Sequence, residues 1–118
     1  MSDATVSPRS VAEAYITGTR TRDTALLKEI FHEQAVMSGW LGPDLLMGGP
    51  EPFYAALEAN DVGDDYTGDI AALDQNDSIA TAVIEETNLL GLSFTNIFHL
   101  VRLADGSWRI TSKLFRHA

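Results

Sequence analysis

The stretch from Phe94 to His117, FTNIFHLVRLADGSWRITSKLFRH, reads as two strands joined at Asp105-Gly106, and both faces of the pair are apolar. An antiparallel pair with one solvated face alternates apolar and polar residues, so this one needs cover on two sides. A type I′ turn at Asp105-Gly106, with positive φ at both positions, predicts a register. It sets Leu103 opposite Trp108, Val101 opposite Ile110, Phe98 opposite Lys113 and Asn96 opposite Phe115. Period-two alternation then sorts the hairpin onto two surfaces. Phe94, Asn96, Phe98, Leu100, Thr111, Lys113 and Phe115 share one; Ile97, His99, Val101, Leu103, Trp108, Ile110, Ser112 and Leu114 share the other. Folding the preceding strand back at Leu90-Gly91 adds Thr81, Val83, Glu85 and Thr87 to the first and Ala82 and Ile84 to the second. The first surface, apolar with Glu85, Asn96 and Lys113 embedded, suits a cavity floor. The second suits a protein interface.

Upstream, Ser7-Pro8 is a cap and first-turn pair, and Val11, Ala14, Tyr15 and Gly18 recur at helical spacing, predicting a helix over 8–20. Asp23 caps a second, short helix with Leu26, Leu27, Ile30 and Phe31 on one stripe. A strand follows over 34–41, then Gly-Pro punctuation and a third short helix ending near Asn60. Four strands follow, over 66–74, 79–89, 93–103 and 107–115. Helices first and an antiparallel meander afterwards predict an α+β fold, one domain over residues 1–118, with helices packed on one face of a curved sheet.

At 118 residues and 45% hydrophobic content, one domain buries roughly two thirds of its unfolded surface. The net charge of −9 argues against nucleic-acid and anionic-membrane partners. Between Lys28 and Arg102 there is no Lys or Arg while acids accumulate, yet residues 60–65 lack the alternating ligands of a calcium loop and read as a solvated acidic segment. Without Cys there is no thiolate chemistry, and no two His share a metal-ligand spacing; no metal and no cofactor are expected. His32, His99 and His117 are read as structural. The first residues lack the basic and apolar regions of a secretion signal, making the cytoplasm the expected location.

A Tyr in the first helix, Asp23, Phe31-His32, Ala35 and the 94–117 block together carry a family resemblance. The chain resembles the nuclear transport factor 2-like superfamily, most closely its bacterial lumazine-binding and polyketide-cyclase-like branch. That resemblance implies a cone, a strongly bent sheet wrapped around helices with an open cavity, dimerising through the outer sheet face. Members include isomerases, dehydratases, cyclases and non-catalytic binding proteins, so the fold implies no single activity. By comparison with the isomerases, the oxyanion-stabilising Tyr falls on Tyr15, the general-base position on or next to Gly39 and the protonated-acid position on or next to Phe98. Ketosteroid-type proton transfer needs the missing carboxylate.

The expected protein therefore binds a small apolar or aromatic molecule and forms a homodimer through Ile97, Val101, Trp108, Ile110 and Leu114. Tyr15, Met37, Trp40, Tyr54, Val83, Asn96, Phe98, Thr111 and Phe115 are the candidate ligand contacts. An alternative is a cofactor-independent lyase or isomerase, with Glu85 as base and Tyr15 or Lys113 stabilising negative charge. Another is a non-catalytic dimeric structural or partner-binding module with a closed cavity; the bland reading of Glu85 and Lys113 is a buried structural ion pair bridged by Asn96.

Overall fold

In the computed structural model, which describes residues 3–117, a short 3-10 turn leads into α1 (Pro8–Thr21), α2 (Thr24–Ile30), β1 (Phe31–Leu41), β2 (Asp44–Gly48), α3 (Glu51–Ala59), β3 (Thr67–Asn76), β4 (Ile79–Leu89), β5 (Leu92–Arg102) and β6 (Trp108–His117). The α+β reading holds. The six strands form one sheet in the order β2-β1-β6-β5-β4-β3. Neighbours are antiparallel except β1 and β6, which run parallel; β3 to β6 form the antiparallel meander expected, while β2 is a strand the sequence reading did not include. The parallel pair arises because the connection through α3 carries the chain from β2 at one edge of the sheet to β3 at the other, with β3 running in the same direction as β2.

Local chemistry explains the helices. Ser7 and Ser10 close a reciprocal capping box at α1, with Pro8 pre-set for the first turn. Arg22, at φ 58°, ends α1 in the left-handed conformation, and its guanidinium donates to the Leu57 and Glu58 carbonyls at 2.7 and 3.0 Å. The end of α1 is thereby tied to the end of α3. Asp23 accepts from the Leu26 N–H and starts α2 at once. Gly18 lets α2 pack close, since a Cβ there would lie 3.0 Å from the Leu27 side chain. Among the described residues no helix is long and apolar enough to cross a membrane.

The sheet departs from simple pairing at defined places, and these decide which residues face the helices. The Leu90-Gly91 turn is as predicted, with φ of 52° and 82°. Asn88, at φ 59°, then introduces a bulge, and the register slips by one: Glu85 pairs with Thr95, Ile84 with Asn96 and Ala82 with Phe98. A one-residue slip turns every side chain over. Ala82, Ile84 and Glu86 are buried, whereas Val83 and Glu85 belong to the outer face, the reverse of the sequence reading.

The final hairpin contains two deviations that compensate. Its turn is not a type I′ turn: Asp105 keeps negative φ, Gly106 donates to the Leu103 carbonyl, and Leu103 donates to the Ser107 carbonyl. That is a three-residue loop with Gly106 at φ 89°. It shifts the register so that Leu100 pairs with Ile110 and Arg102 with Trp108. A bulge between His99 and Leu100, taken up on β6 at Thr111, then restores it, and Phe98–Lys113 and Asn96–Phe115 are the predicted pairs. Lys113, Asn96 and Phe98 accordingly face inward as expected. Trp108 and Ile110 also face inward, 3% and 1% exposed, and are lost from the proposed interface. Bulges also bend their strands, and a third lies between β3 and β4 near Ala71.

Candidate functional site

The inner face of β4, β5 and β6 meets α1 at a buried polar group. Glu86, 1% exposed, accepts from Tyr66 at 2.6 Å on Oε2, and from Asn96 at 2.7 Å and Tyr15 at 3.1 Å on Oε1. Asn96 Nδ2 also donates to the Ile84 carbonyl at 3.1 Å. Both contacts of that atom are acceptors, which fixes the amide orientation. Three donors on one carboxyl group, with no competing acceptor, match what a carboxylate needs when it is removed from water. Burial, then the neighbouring Glu86 charge, push the Tyr15 and Tyr66 hydroxyls well above the ordinary phenol range, keeping both as donors.

Lys113 stands on the same face but belongs to a different environment. It is 3% exposed, and its Nζ lies 4.1 Å from the Phe53 ring centroid, 5.0 Å from that of Tyr15 and 5.7 Å from that of Phe115. Among the described residues it has neither a hydrogen bond nor an ion pair; the two ion pairs present involve Arg22 and Arg102. Burial lowers its pKa to about 8, against the opposing pull of Glu86. The aromatic faces offset part of that desolvation.

Beyond Lys113 the cone opens into a cavity of about 480 Å³. Its walls come from the β1–β2 hairpin (Met37, Leu45, Met47), α3 (Phe53, Ala56, Leu57), the β4–β5 turn (Leu89, Leu90) and Phe94 and Phe115 of the last two strands. Among the described residues Lys113 is the sole ionisable side chain in the lining, which is otherwise overwhelmingly apolar. The volume falls in the range of small-molecule sites.

Of the candidate ligand contacts, Met37 and Phe115 line this cavity, as does Lys113, the candidate for stabilising negative charge. Tyr15, Asn96 and Phe98 lie beneath it in the core, with Tyr15 against Phe98 at 4.8 Å between ring centroids. Tyr54 is buried against Phe31, with Lys28 over its ring, and does not line the cavity. Trp40 is 49% exposed on the sheet's outer face, Val83 is outward too, and Thr111 sits at the β6 bulge with its hydroxyl on the His99 carbonyl. Glu85, assigned as base, is exposed and accepts from Thr95 on the outer face. Its place is taken by Glu86, one residue on, which sequence reasoning missed. The signal was Asn88, a residue that tolerates positive φ and so can host the bulge that moves the register.

Gly39, at the position compared with the isomerase base, has no room for a side chain. A Cβ there would lie 1.9 Å from the Phe115 carbonyl oxygen.

Comparison with known proteins agrees with this architecture. A nuclear transport factor 2-like protein of unknown function from Shewanella baltica superposes with a TM-score of 0.85 at 22% identity, over 93% of this chain and 90% of that one. One of unknown function from Silicibacter pomeroyi gives 0.83 at 26%, over 93% and 92%. A ketosteroid isomerase-like protein from Erwinia carotovora atroseptica gives 0.70 at 19%, over 99% and 98%. No functionally curated protein matches the sequence. The family model described as "Putative lumazine-binding" matches residues 3–116, so the chain belongs to that family, within the nuclear transport factor 2-like superfamily.

Proposed function

We propose that this protein is a small cytoplasmic binding protein whose cavity takes up a compact, largely apolar molecule. The observation that carries the reading is the open, apolar-walled space of about 480 Å³ at the wide end of the cone. Filling such a space with protein side chains would stabilise the fold, and a native cavity of this size left unfilled favours an occupant. The family description, lumazine-binding, is in keeping with a small-molecule role. Binding is favoured over turnover because, among the described residues, no carboxyl group lines the cavity, Glu85 faces outward and both oxygens of Glu86 are engaged. The closed-module alternative loses support from the same open space.

The test uses N-phenyl-1-naphthylamine, a neutral apolar fluorophore. Its emission is expected to rise on addition of the protein, and substituting Trp for Ala56, which lines the cavity, is expected to suppress the rise while the fold remains. No enhancement with the unaltered protein would remove the reading.

The homodimer also stands as a proposal, on a corrected surface. Ser38, Leu114, Ile97 and Val83 form a row across four strands, with Trp40 and Val36 on the two adjacent rows of β1. Val36, Trp40, Ile97 and Leu114 are 53%, 49%, 38% and 50% exposed, an apolar patch a second copy would cover. Val101 lies outside this centre, and Trp108 and Ile110 belong to the core.

A further inference from the structure

Resting on the binding reading above, we infer that the cavity selects apolar molecules carrying a single anionic head group, which pairs with the Lys113 ammonium at its floor. Three observations lead there. Among the described residues Lys113 is the one charged side chain in an otherwise apolar lining. Its Nζ has no hydrogen-bond or ion-pair partner among the described residues, although a buried ammonium is strongly disfavoured without one. Glu86, the carboxyl group whose charge acts on the amine, receives Tyr15, Tyr66 and Asn96, makes no direct ion pair with it and is absent from the cavity wall.

The rings of Phe53, Tyr15 and Phe115 surround the amine within 5.7 Å of their centroids. They hold the chain in place, and Glu86 attracts the amine without a direct ion pair, so the side of Nζ that faces the cavity is the side on which an anion can reach it. A carboxylate or comparable anion fits there, and the apolar body of the same molecule then lies along Met37, Leu57 and Phe94. An ammonium-bearing ligand would place like charges together, and an alcohol would leave the amine's charge unpaired.

The titratable groups facing Lys113 are Glu86 from β4 and Tyr15 from α1, with Tyr66 beyond that carboxyl group. From α3 and its own strand it meets Phe53 and Phe115. Burial holds the free amine's pKa down to about 8. An anion paired with it favours the protonated form, so affinity for the anion is constant below about pH 8 and falls up to tenfold per unit above it.

Octanoate and octan-1-ol share one apolar body and differ in the head, which makes them the probes. In calorimetric titrations of the full chain at pH 6.5, octanoate is expected to bind at least tenfold more tightly than octan-1-ol. The preference should fade between pH 8 and 10, vanish in Lys113→Met and persist in Lys113→Arg. Nitrogen-detected lysine spectra of the unaltered protein should show the Lys113 pKa rising on octanoate addition, a readout that needs no variant. Equal affinity for the two probes, or an unmoved pKa at saturating octanoate, overturns anion selection and leaves apolar binding standing. If neither probe nor the neutral fluorophore binds, both readings fall.

Discussion

Tyr66 and Glu86, 20 residues apart, meet through a 2.6 Å hydrogen bond inside the protein, and the register of β4 brings them together. The same carboxyl group takes Tyr15 from α1 and Asn96 from β5, so one acidic side chain joins a helix, a loop and two strands. A buried acceptor with three donors is costly to remove, because each donor is then left without a partner.

Glu86→Ala is expected to destabilise the fold by about 3 kcal/mol or more, whereas Glu85→Ala should fall within about 0.5 kcal/mol of the unaltered protein. Urea denaturation of the two variants measures the contrast. The opposite order would restore the register without the Asn88 bulge.

Lys113→Met should raise stability at neutral pH. The lysine's pKa falls from 10.5 to about 8 on folding, so the penalty is complete below about pH 8 and disappears by pH 10.5, where the unfolded chain also loses the proton. The shift corresponds to on the order of 3 kcal/mol before lost packing is deducted. Denaturant midpoints of variant and unaltered protein should therefore converge as pH rises from 8 towards 10.5. A variant less stable at pH 7 would contradict the burial cost assigned to this amine.

Tyr15 and Tyr66 predict the alkaline limit. Their folded-state pKa values lie above the unfolded value of 10, so their contribution is full below pH 10 and is lost as pH rises further. Tyr66→Phe should lower stability by about 1–3 kcal/mol at pH 7 and flatten the loss above pH 10. Thermal melts at pH 7, 9 and 11 would show whether the difference narrows.

Leu114→Asp and Ile110→Asp should act in different ways. Leu114 is half exposed on the outer face, so its aspartate is expected to leave the fold intact and shift the proposed dimer towards monomer in light scattering. Ile110 is 1% exposed, and a charge there should unfold the chain, costing on the order of 4 kcal/mol or more. A folded Ile110→Asp monomer would return Ile110 to the interface.

Gly39→Asp puts the isomerase base to the test. The Cβ position overlaps the Phe115 carbonyl oxygen across the β1–β6 pairing, so the variant should lose several kcal/mol and gain no proton-transfer activity. A stable variant would show that β1 has room to move away from β6.

The sequence by itself determined what depends on near neighbours. Ser7-Pro8 and Asp23 started their helices, Leu90-Gly91 made the predicted turn, and alternation along β5 put Asn96 and Phe98 on the buried face. The 94–117 block also carried the family likeness. Tertiary structure alone decided the matters that turn on one residue of register. Asn88 and Thr111 each insert an extra residue, and because side chains alternate with a period of two, each insertion reverses the faces beyond it. Glu86 thereby replaced Glu85, and Trp108 and Ile110 moved from interface to core. Lys113 kept its predicted face because two deviations cancelled. That it makes no direct ion pair with Glu86 was invisible in the sequence, since it depends on Tyr15, Tyr66 and Asn96, from three separate segments, donating to that carboxyl group.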